Sequence, residues 1–132
     1  MNAVLDTNVF VSGIFWKGES NKALLAWRDG KFNLITSLDI ILEIIRILKD
    51  FKIQLPGESI KEWTDLIVTN SIIVKPKEKV NIVKDDPKDN MFIEAAIAGM
   101  AEYIVSQDKH LLRLENVQDI KIITPIKFNS VV

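Results

Sequence analysis

The sequence predicts an α/β fold in which helices cover both faces of a parallel sheet. Short aliphatic runs alternate along the chain with longer helical patterns, and glycine or proline follows several of them. Strands that alternate with helices form βαβ units, which place parallel strands between two layers of helices. A chain of 132 residues, 48% of them apolar, is long enough for one core and too short for two. We therefore predict a single domain over residues 1–132.

Five strands are predicted from aliphatic and β-branched runs, over residues 3–5, 32–35, 71–74, 103–105 and 122–123. The first of them, which starts at Ala3, is apolar throughout, as is typical of a strand buried on both faces. Pro76 ends the third strand and Pro125 ends the fifth, because proline lacks the N–H that a sheet needs. The strands are short, so the helices define most of the domain.

Four helices are predicted between these strands, over residues 20–28, 38–51, 58–70 and 87–99, with a further helical turn near residue 111. Ser20 can cap the first of them and Gly30 closes it. Pro87 suits the first position of the last helix, and a charged loop, residues 75–89, leads into it. The helix over 38–51 is nearly all apolar apart from one polar stripe, so we expect it to be mostly buried.

Composition excludes several kinds of protein. The chain has 17 basic and 18 acidic side chains, and its net charge of −1 argues against a strongly electropositive nucleic-acid binder. Without cysteine there is no disulfide, no thiolate zinc site and no thiol nucleophile. The longest uncharged run, residues 7–16, is too short to span a bilayer, and no basic segment precedes an apolar one as in an export signal. We expect a cytoplasmic protein with no membrane partner.

Two acidic residues come directly after predicted strands. Asp6 follows the first strand, and Asp108 follows the fourth. Ligands of a parallel α/β sheet bind outside the carboxyl ends of its strands, which is where these two carboxylates would lie. Each residue also has a purely structural explanation, because Asp6 can cap a helix that contains Val9 and Asp108 can cap the turn through Leu111. The residues alone leave both explanations open.

Glu43 lies on the polar stripe of the helix over 38–51. At 100° per residue this stripe also contains Arg46, which can pair with Glu43 at a spacing of three residues. In one interpretation the stripe is a solvated face held by that ion pair. In the other it lies at the carboxyl edge of the sheet and faces Asp6.

Asp86 and Asp89 stand at the start of the last predicted helix. With Pro87 at the first helical position, Asp86 is the expected N-cap. Capping does not require Asp89, whose carboxylate is left free in the first turn. The structural explanation for Asp89 is a favourable charge near a helix N-terminus.

Taken together, these acids predict a metal centre. Carboxylates gathered in one cleft repel each other and raise their own pKa values unless a cation balances them. His110 is the only histidine, so a histidine-rich site is excluded, whereas Mg²⁺ and Mn²⁺ prefer carboxylate and water oxygens. Two such ions about 4 Å apart can activate a water and stabilise the leaving oxygen of a phosphodiester. They would also let a nearly neutral protein receive a polyanion.

The order and context of these acids resemble the PIN-domain nucleases. The residues that carry the resemblance are Asp6-Thr7-Asn8-Val9, Glu43, Asp86 to Phe92, and Ser106-Gln107-Asp108 followed by Leu111-Leu112. It extends over residues 3 to about 125 and is closest to the single-domain PIN proteins that act as toxins of toxin–antitoxin pairs, the VapC-like toxins. Each motif alone is weak, but four motifs in this order form a specific combination.

The resemblance implies a three-layer α/β/α sandwich with a mainly parallel five-stranded sheet of order 3-2-1-4-5, and a metal-dependent endoribonuclease. Asp6 would be the central ligand of one or two Mg²⁺ or Mn²⁺ ions, Asp89 and Asp108 would share the ions, and Glu43 would position an ion or its water. Supporting positions are Thr7, Asn8, Asn90 and Ser106, while Asp86 is assigned as a cap first and a ligand second. The implied partners are an RNA substrate, a protein antitoxin and a second copy of the chain in a homodimer or higher homo-oligomer.

Other functions stay open or are excluded. A PIN nuclease that processes RNA without an antitoxin and a catalytically inactive PIN interaction module are the alternatives that remain, although an inactive copy has no need for mutually repelling acids. A haloacid-dehalogenase-type phosphatase needs a second acid where Asn8 stands, and a receiver domain needs a phosphorylatable Asp where Lys75-Pro76 stands. A dinucleotide-binding Gly-x-Gly-x-x-Gly motif is absent.

Overall fold

The computed structural model describes residues 1–50 and 55–132, and within these ranges six strands form one sheet. The strands are β1 (Asn2–Leu5), β2 (Asn33–Ser37), β3 (Ile72–Val74), β4 (Tyr103–Val105), β5 (Asn116–Val117) and β6 (Ile120–Ile123). Their order is β3-β2-β1-β4-β6-β5, and every neighbouring pair is parallel except β5 with β6. The predicted α/β class and mostly parallel sheet are confirmed, with β6 as the predicted fifth strand.

The expected count of five strands is wrong, because β5 adds a short antiparallel edge. It is joined to β6 by a two-residue turn in which Gln118 and Asp119 have φ angles of 48° and 69°. Tight hairpins favour positive φ at both central residues, but the usual sequence signal is Asn-Gly or Asp-Gly. A strand of two residues, joined by a turn without glycine, has no sequence pattern from which it could be predicted.

Four of the helices in the described ranges lie within a few residues of the predicted limits, and a fifth is the predicted turn near residue 111. The first helix was left open by the sequence, and the last one is not among the predicted elements. The helices are α1 (Thr7–Phe15), α2 (Glu19–Arg28), α3 (Leu38–Asp50), α4 (Gly57–Asn70), α5 (Asn90–Ala98), α6 (Lys109–Leu112) and α7 (Pro125–Asn129), with a 3₁₀ turn over Pro87–Asp89 before α5. Ser20 is not the cap of α2, since Gly18 is the N-cap residue and Ser20 is buried inside the helix. The predicted end of the third helix at Phe51 lies outside the described residues.

Helix α3 is less buried than its composition suggests. Ile40, Ile44 and Leu48 are in the core, but Leu38 and Leu42 are 63% and 55% exposed. An outer-layer helix has one face to pack, and residues four apart on the opposite face project into solvent whatever their chemistry. The expectation that α3 is mostly buried is therefore wrong.

Helix α5 packs very closely on the sheet and thereby fixes the position of the acids at its start. Ala95 and Ala96 are fully buried, and the helix contacts β1, β2 and β4. Immediately after the helix, a Cβ atom added to Gly99 would lie 2.4 Å from Cγ2 of Ile35, so any larger residue would force the buried Ile35 side chain to shift. These small residues let the backbone of α5 approach the central strands.

Candidate metal centre

Asp6 is held by hydrogen bonds on both of its carboxylate oxygens. It is 3% exposed and follows β1 as the N-cap of α1, where the Val9 N–H donates to Oδ1 over 2.8 Å. The hydroxyl of Ser106 donates to Oδ2. Asp6 therefore does cap α1, and its carboxylate still lies at the carboxyl ends of the strands.

Asp108 is connected to Asp6 through Ser106. Because β1 and β4 are parallel neighbours, with Leu5 opposite Val105, the residues that follow them lie side by side. Ser106 is completely buried, and its oxygen also accepts a hydrogen bond from the Asp108 N–H over 2.9 Å. Oδ1 of Asp108 accepts the His110 N–H over 2.7 Å, so this residue caps α6 as well.

Asp86 stands at the N-cap position of the turn that follows it, as predicted, but its side chain does not perform the capping role. Its carbonyl accepts the Asp89 N–H over 3.0 Å, but its side chain makes no capping hydrogen bond. The segment begins with a 3₁₀ turn in place of a regular helix, which removes the usual cap geometry. Instead, one carboxylate oxygen each from Asp86, Asp89 and Asp108 lie within 4.8 Å of one another.

One carboxylate oxygen of Asp89 is buried. Within the described residues its Oδ2 has no hydrogen-bond partner. A buried, unpartnered carboxylate oxygen is costly and is usually explained by a function or by an ion. The three grouped acids offer oxygen donors only, which suit a hard cation such as Mg²⁺ or Mn²⁺. The residues at this position therefore fit a divalent metal.

Two of the acids at this site, Asp6 and Asp89, have raised pKa values. Burial raises the pKa of Asp6 from 3.8 to about 6, against the opposing effect of its hydrogen bonds from Ser106 and Val9. Burial, followed by the charges of Asp86, Asp108 and Asp6, raises the pKa of Asp89 from 3.8 to about 7. At neutral pH a cation would relieve this repulsion, since it favours the ionised carboxylates.

Glu43 satisfies both of the interpretations that its sequence left open. Arg46 Nε donates to one carboxylate oxygen over 3.1 Å and Arg46 Nη2 donates to the other over 2.7 Å. This pairing lowers the pKa of Glu43. The same side chain lines the cleft that contains Asp6 and Asp89, but it is not one of the three acids grouped within 4.8 Å.

All of the acids proposed from the sequence line one cleft of about 120 Å³. The lining residues are Asp6, Thr7, Asn8, Glu43, Ile47, Asp86, Lys88, Asp89, Met91, Phe92 and Asp108. The cleft thus combines five carboxylates with one lysine. Its small volume suits ions and one phosphate group more than a large organic ligand.

The residues expected to support the site do so in different ways. Ser106 contacts two acids directly, whereas Asn90 binds the preceding loop: its Oδ1 accepts the N–H groups of Ile82 and Val83 over 3.0 and 2.9 Å. Thr7 and Asn8 line the cleft, and the buried Thr7 hydroxyl has no partner within the described residues.

Sequence reasoning missed Arg113, which reaches the edge of this site from the end of α6. Its guanidinium binds Asp85, the residue before Asp86. The two residues are 28 positions apart, so no local spacing rule could have connected them. Only the folded arrangement of the loop against α6 brings the pair together.

The chain was compared with known protein families, curated proteins and solved structures. A family model described as PIN domain matches residues 2–110. No curated protein matches. In the described part of the chain no helix is long and apolar enough to cross a membrane.

Several solved structures share the fold at low identity. VapBC-1 from nontypeable Haemophilus influenzae aligns with a TM-score of 0.63 and 16% identity, over 96% of this chain and 99% of that chain. VapBC2 from Rickettsia felis, bound to a DNA fragment from its promoter, aligns with a TM-score of 0.61 and 16% identity, over 94% of this chain and 98% of that chain. FitAcB from Neisseria gonorrhoeae aligns with a TM-score of 0.54 and 15% identity, over 94% of this chain and 98% of that chain. PIN domains are generally nucleases that use divalent metal ions. With its family-model match over most of its length, this chain belongs to the PIN domain family.

Proposed function

We propose that the protein is a metal-dependent endoribonuclease and the toxin of a toxin–antitoxin pair. The observation that carries the nuclease proposal is the grouping of Asp86, Asp89 and Asp108 around the buried, unpartnered oxygen of Asp89, next to Asp6. A cluster of this kind is destabilising without a cation. A divalent cation is also what a small, slightly acidic protein needs in order to bind a phosphodiester.

Each residue has a role that follows from its contacts. Asp6, Asp89 and Asp108 would hold Mg²⁺ or Mn²⁺, with Asp86 as a further ligand. Bound ions supply an activated water and charge for the leaving oxygen. Ser106 keeps Asp6 and Asp108 in register through its two hydrogen bonds.

Two cationic side chains complete the proposed site. Arg46 holds the Glu43 carboxylate by two hydrogen bonds, which fixes the direction in which Glu43 faces the cleft. Lys88 lines the same cleft and would meet an RNA phosphate. These two cations do not balance the five carboxylates of the cleft, so binding of a polyanion would still require the divalent ions.

The toxin role rests on the solved structures that share the fold, since two of them are VapBC proteins. A protein antitoxin is therefore the partner that we propose, in the cytoplasm where RNA is available. A short reading frame beside the gene that encodes a DNA-binding protein with a flexible tail would support this role. Its absence would favour a PIN nuclease that processes RNA on its own.

The test of the nuclease proposal is cleavage of RNA under controlled metal. We expect the purified protein to cut single-stranded and structured RNA in Mn²⁺ or Mg²⁺. Cleavage should stop in EDTA and resume in excess Mn²⁺. Asp108→Asn, prepared in the same way, controls for a contaminating nuclease. Cleavage that persists in EDTA would contradict a metal mechanism. No cleavage with either metal would favour an inactive interaction module.

A further inference from the structure

A charged cluster at the edge of the cleft joins two segments that carry acids. Arg113 Nη2 contacts Oδ2 of Asp85, and it lies 3.0 Å from Nδ1 of His110. The same His110 nitrogen lies 3.6 Å from Oδ2 of Asp85. Asp85 is therefore held by Arg113, and His110 lies beside this pair.

Both ends of this cluster are next to proposed metal ligands. Asp85 immediately precedes Asp86 in the chain. On the other side, α6 begins directly after Asp108, which caps the His110 N–H, and Arg113 is the residue that ends the helix. The cluster thus connects the backbone that carries Asp86 to the helix that starts at Asp108.

The rest of the loop is fastened on either side of Asp85 and Asp86. Upstream, Asn90 binds the backbone of Ile82 and Val83. Downstream, the Asp89 N–H binds the Asp86 carbonyl. Because the Asp86 side chain makes no capping hydrogen bond, its own turn does not set its direction. The contact of Arg113 with Asp85 constrains the loop next to Asp86, between these two fastened points.

We propose that Arg113 is a positioning residue of the metal centre: through Asp85 it holds the Asp86 carboxylate toward Asp89 and Asp108. This inference rests on the proposed function, since it requires that these acids bind a cation. Arg113 does not line the cleft and touches no acid of the group directly. Its effect would be exerted on the affinity of the metal.

A positioning role and a simple charge effect predict opposite signs. Arg113 is a cation near a cation site, so by charge alone its removal would strengthen the binding of Mn²⁺. If it positions Asp86, its removal weakens binding instead. Both Arg113 and Asp85 have side chains that are 60% exposed, so the contribution is moderate and screened by salt. We expect about a three- to fivefold change in Kd.

The experiment measures the Kd for Mn²⁺ alone by calorimetry at pH 7.5, without RNA. Arg113→Ala and Asp85→Asn should each weaken Mn²⁺ binding about three- to fivefold, and the double variant should be no weaker than either one. Compared with Arg113→Ala, Arg113→Lys should recover part of the affinity, because a lysine ammonium can still pair with Asp85. Lys61→Ala removes a comparably exposed ion pair, with Asp65 on α4, and should leave the Kd unchanged.

The outcomes separate this inference from the proposed function. Unchanged or tighter Mn²⁺ binding by Arg113→Ala, with normal binding by the unmodified protein, overturns the positioning role alone. Additive losses in the double variant do the same, because they show that the two residues act independently. If the unmodified protein does not bind Mn²⁺, the metal centre itself is wrong, and the positioning role falls with it.

Discussion

Asp89→Asn is expected to abolish metal-dependent RNA cleavage and to leave the fold intact. The substitution replaces a buried, unpartnered carboxylate oxygen with an amide that carries no charge for a cation. Loss of an outer-sphere partner of a metal ligand typically costs about 10- to 100-fold, so loss of a ligand should cost at least about 100-fold. Since the pKa of Asp89 is raised to about 7 by burial and its acidic neighbours, the metal-free variant should fold at least as stably as the unmodified protein.

The measurement is the rate of RNA cleavage at saturating Mn²⁺, together with circular dichroism and thermal unfolding in EDTA. Asp65→Asn is the matched control, because this acid lies on α4 with its side chain 64% exposed. It should cleave RNA at the normal rate. Cleavage by Asp89→Asn at the same rate as this control would remove Asp89 from the site.

The metal-free protein is expected to lose stability as the pH rises from 5 to 7.5. The folded-state pKa values of Asp6 and Asp89 are raised to about 6 and about 7, from 3.8. Between these values the folded state binds more protons than the unfolded state, so the free energy of unfolding falls with increasing pH. For Asp6, which is almost fully buried, the loss between pH 5 and pH 7.5 is roughly 1–2 kcal/mol, because part of the effect is already present at pH 5. Asp89 is partly open to solvent, so its raised pKa contributes less to this loss than burial alone would suggest.

Denaturant unfolding in EDTA at pH 5 and pH 7.5 measures this slope, and Asp6→Asn should flatten it. Adding Mn²⁺ at pH 7.5, at about 100 times its Kd, should restore about 2.7 kcal/mol. The same addition at pH 5 should raise the free energy of unfolding much less, because the carboxylate ligands must be deprotonated to bind the metal. Stability that is constant or rises between pH 5 and 7.5 in EDTA would show that folding does not raise the pKa values of Asp6 and Asp89.

The meeting of the acids could be predicted from the sequence because it depends on topology. Asp6 and Asp108 follow parallel strands, and the carboxyl ends of such strands share one edge of the sheet whatever the details of packing. Asp89 could be placed as well, because it stands at the start of a helix whose small residues pack against the same strands. Simple rules of chain direction were therefore enough to place these three residues together.

What the sequence did not reveal depends on contacts between distant residues or on unusual backbone. The pairing of Asp85 with Arg113 spans 28 residues and has no periodic signature. Asp86 was expected to cap a regular helix, but a 3₁₀ turn has different end geometry. Exposure on α3 could not be judged from its composition, because the number of packed faces is a property of the whole fold.

A crystal structure with Mn²⁺, located by its anomalous scattering, tests the central claim most directly. We expect a peak in the cleft, with carboxylate oxygens of Asp89 and Asp108 at bonding distance and Asp6 or Asp86 in the same coordination sphere. A well-ordered crystal grown in excess Mn²⁺ with no peak in the cleft would contradict it. A peak bound only by acids elsewhere on the surface would do so equally.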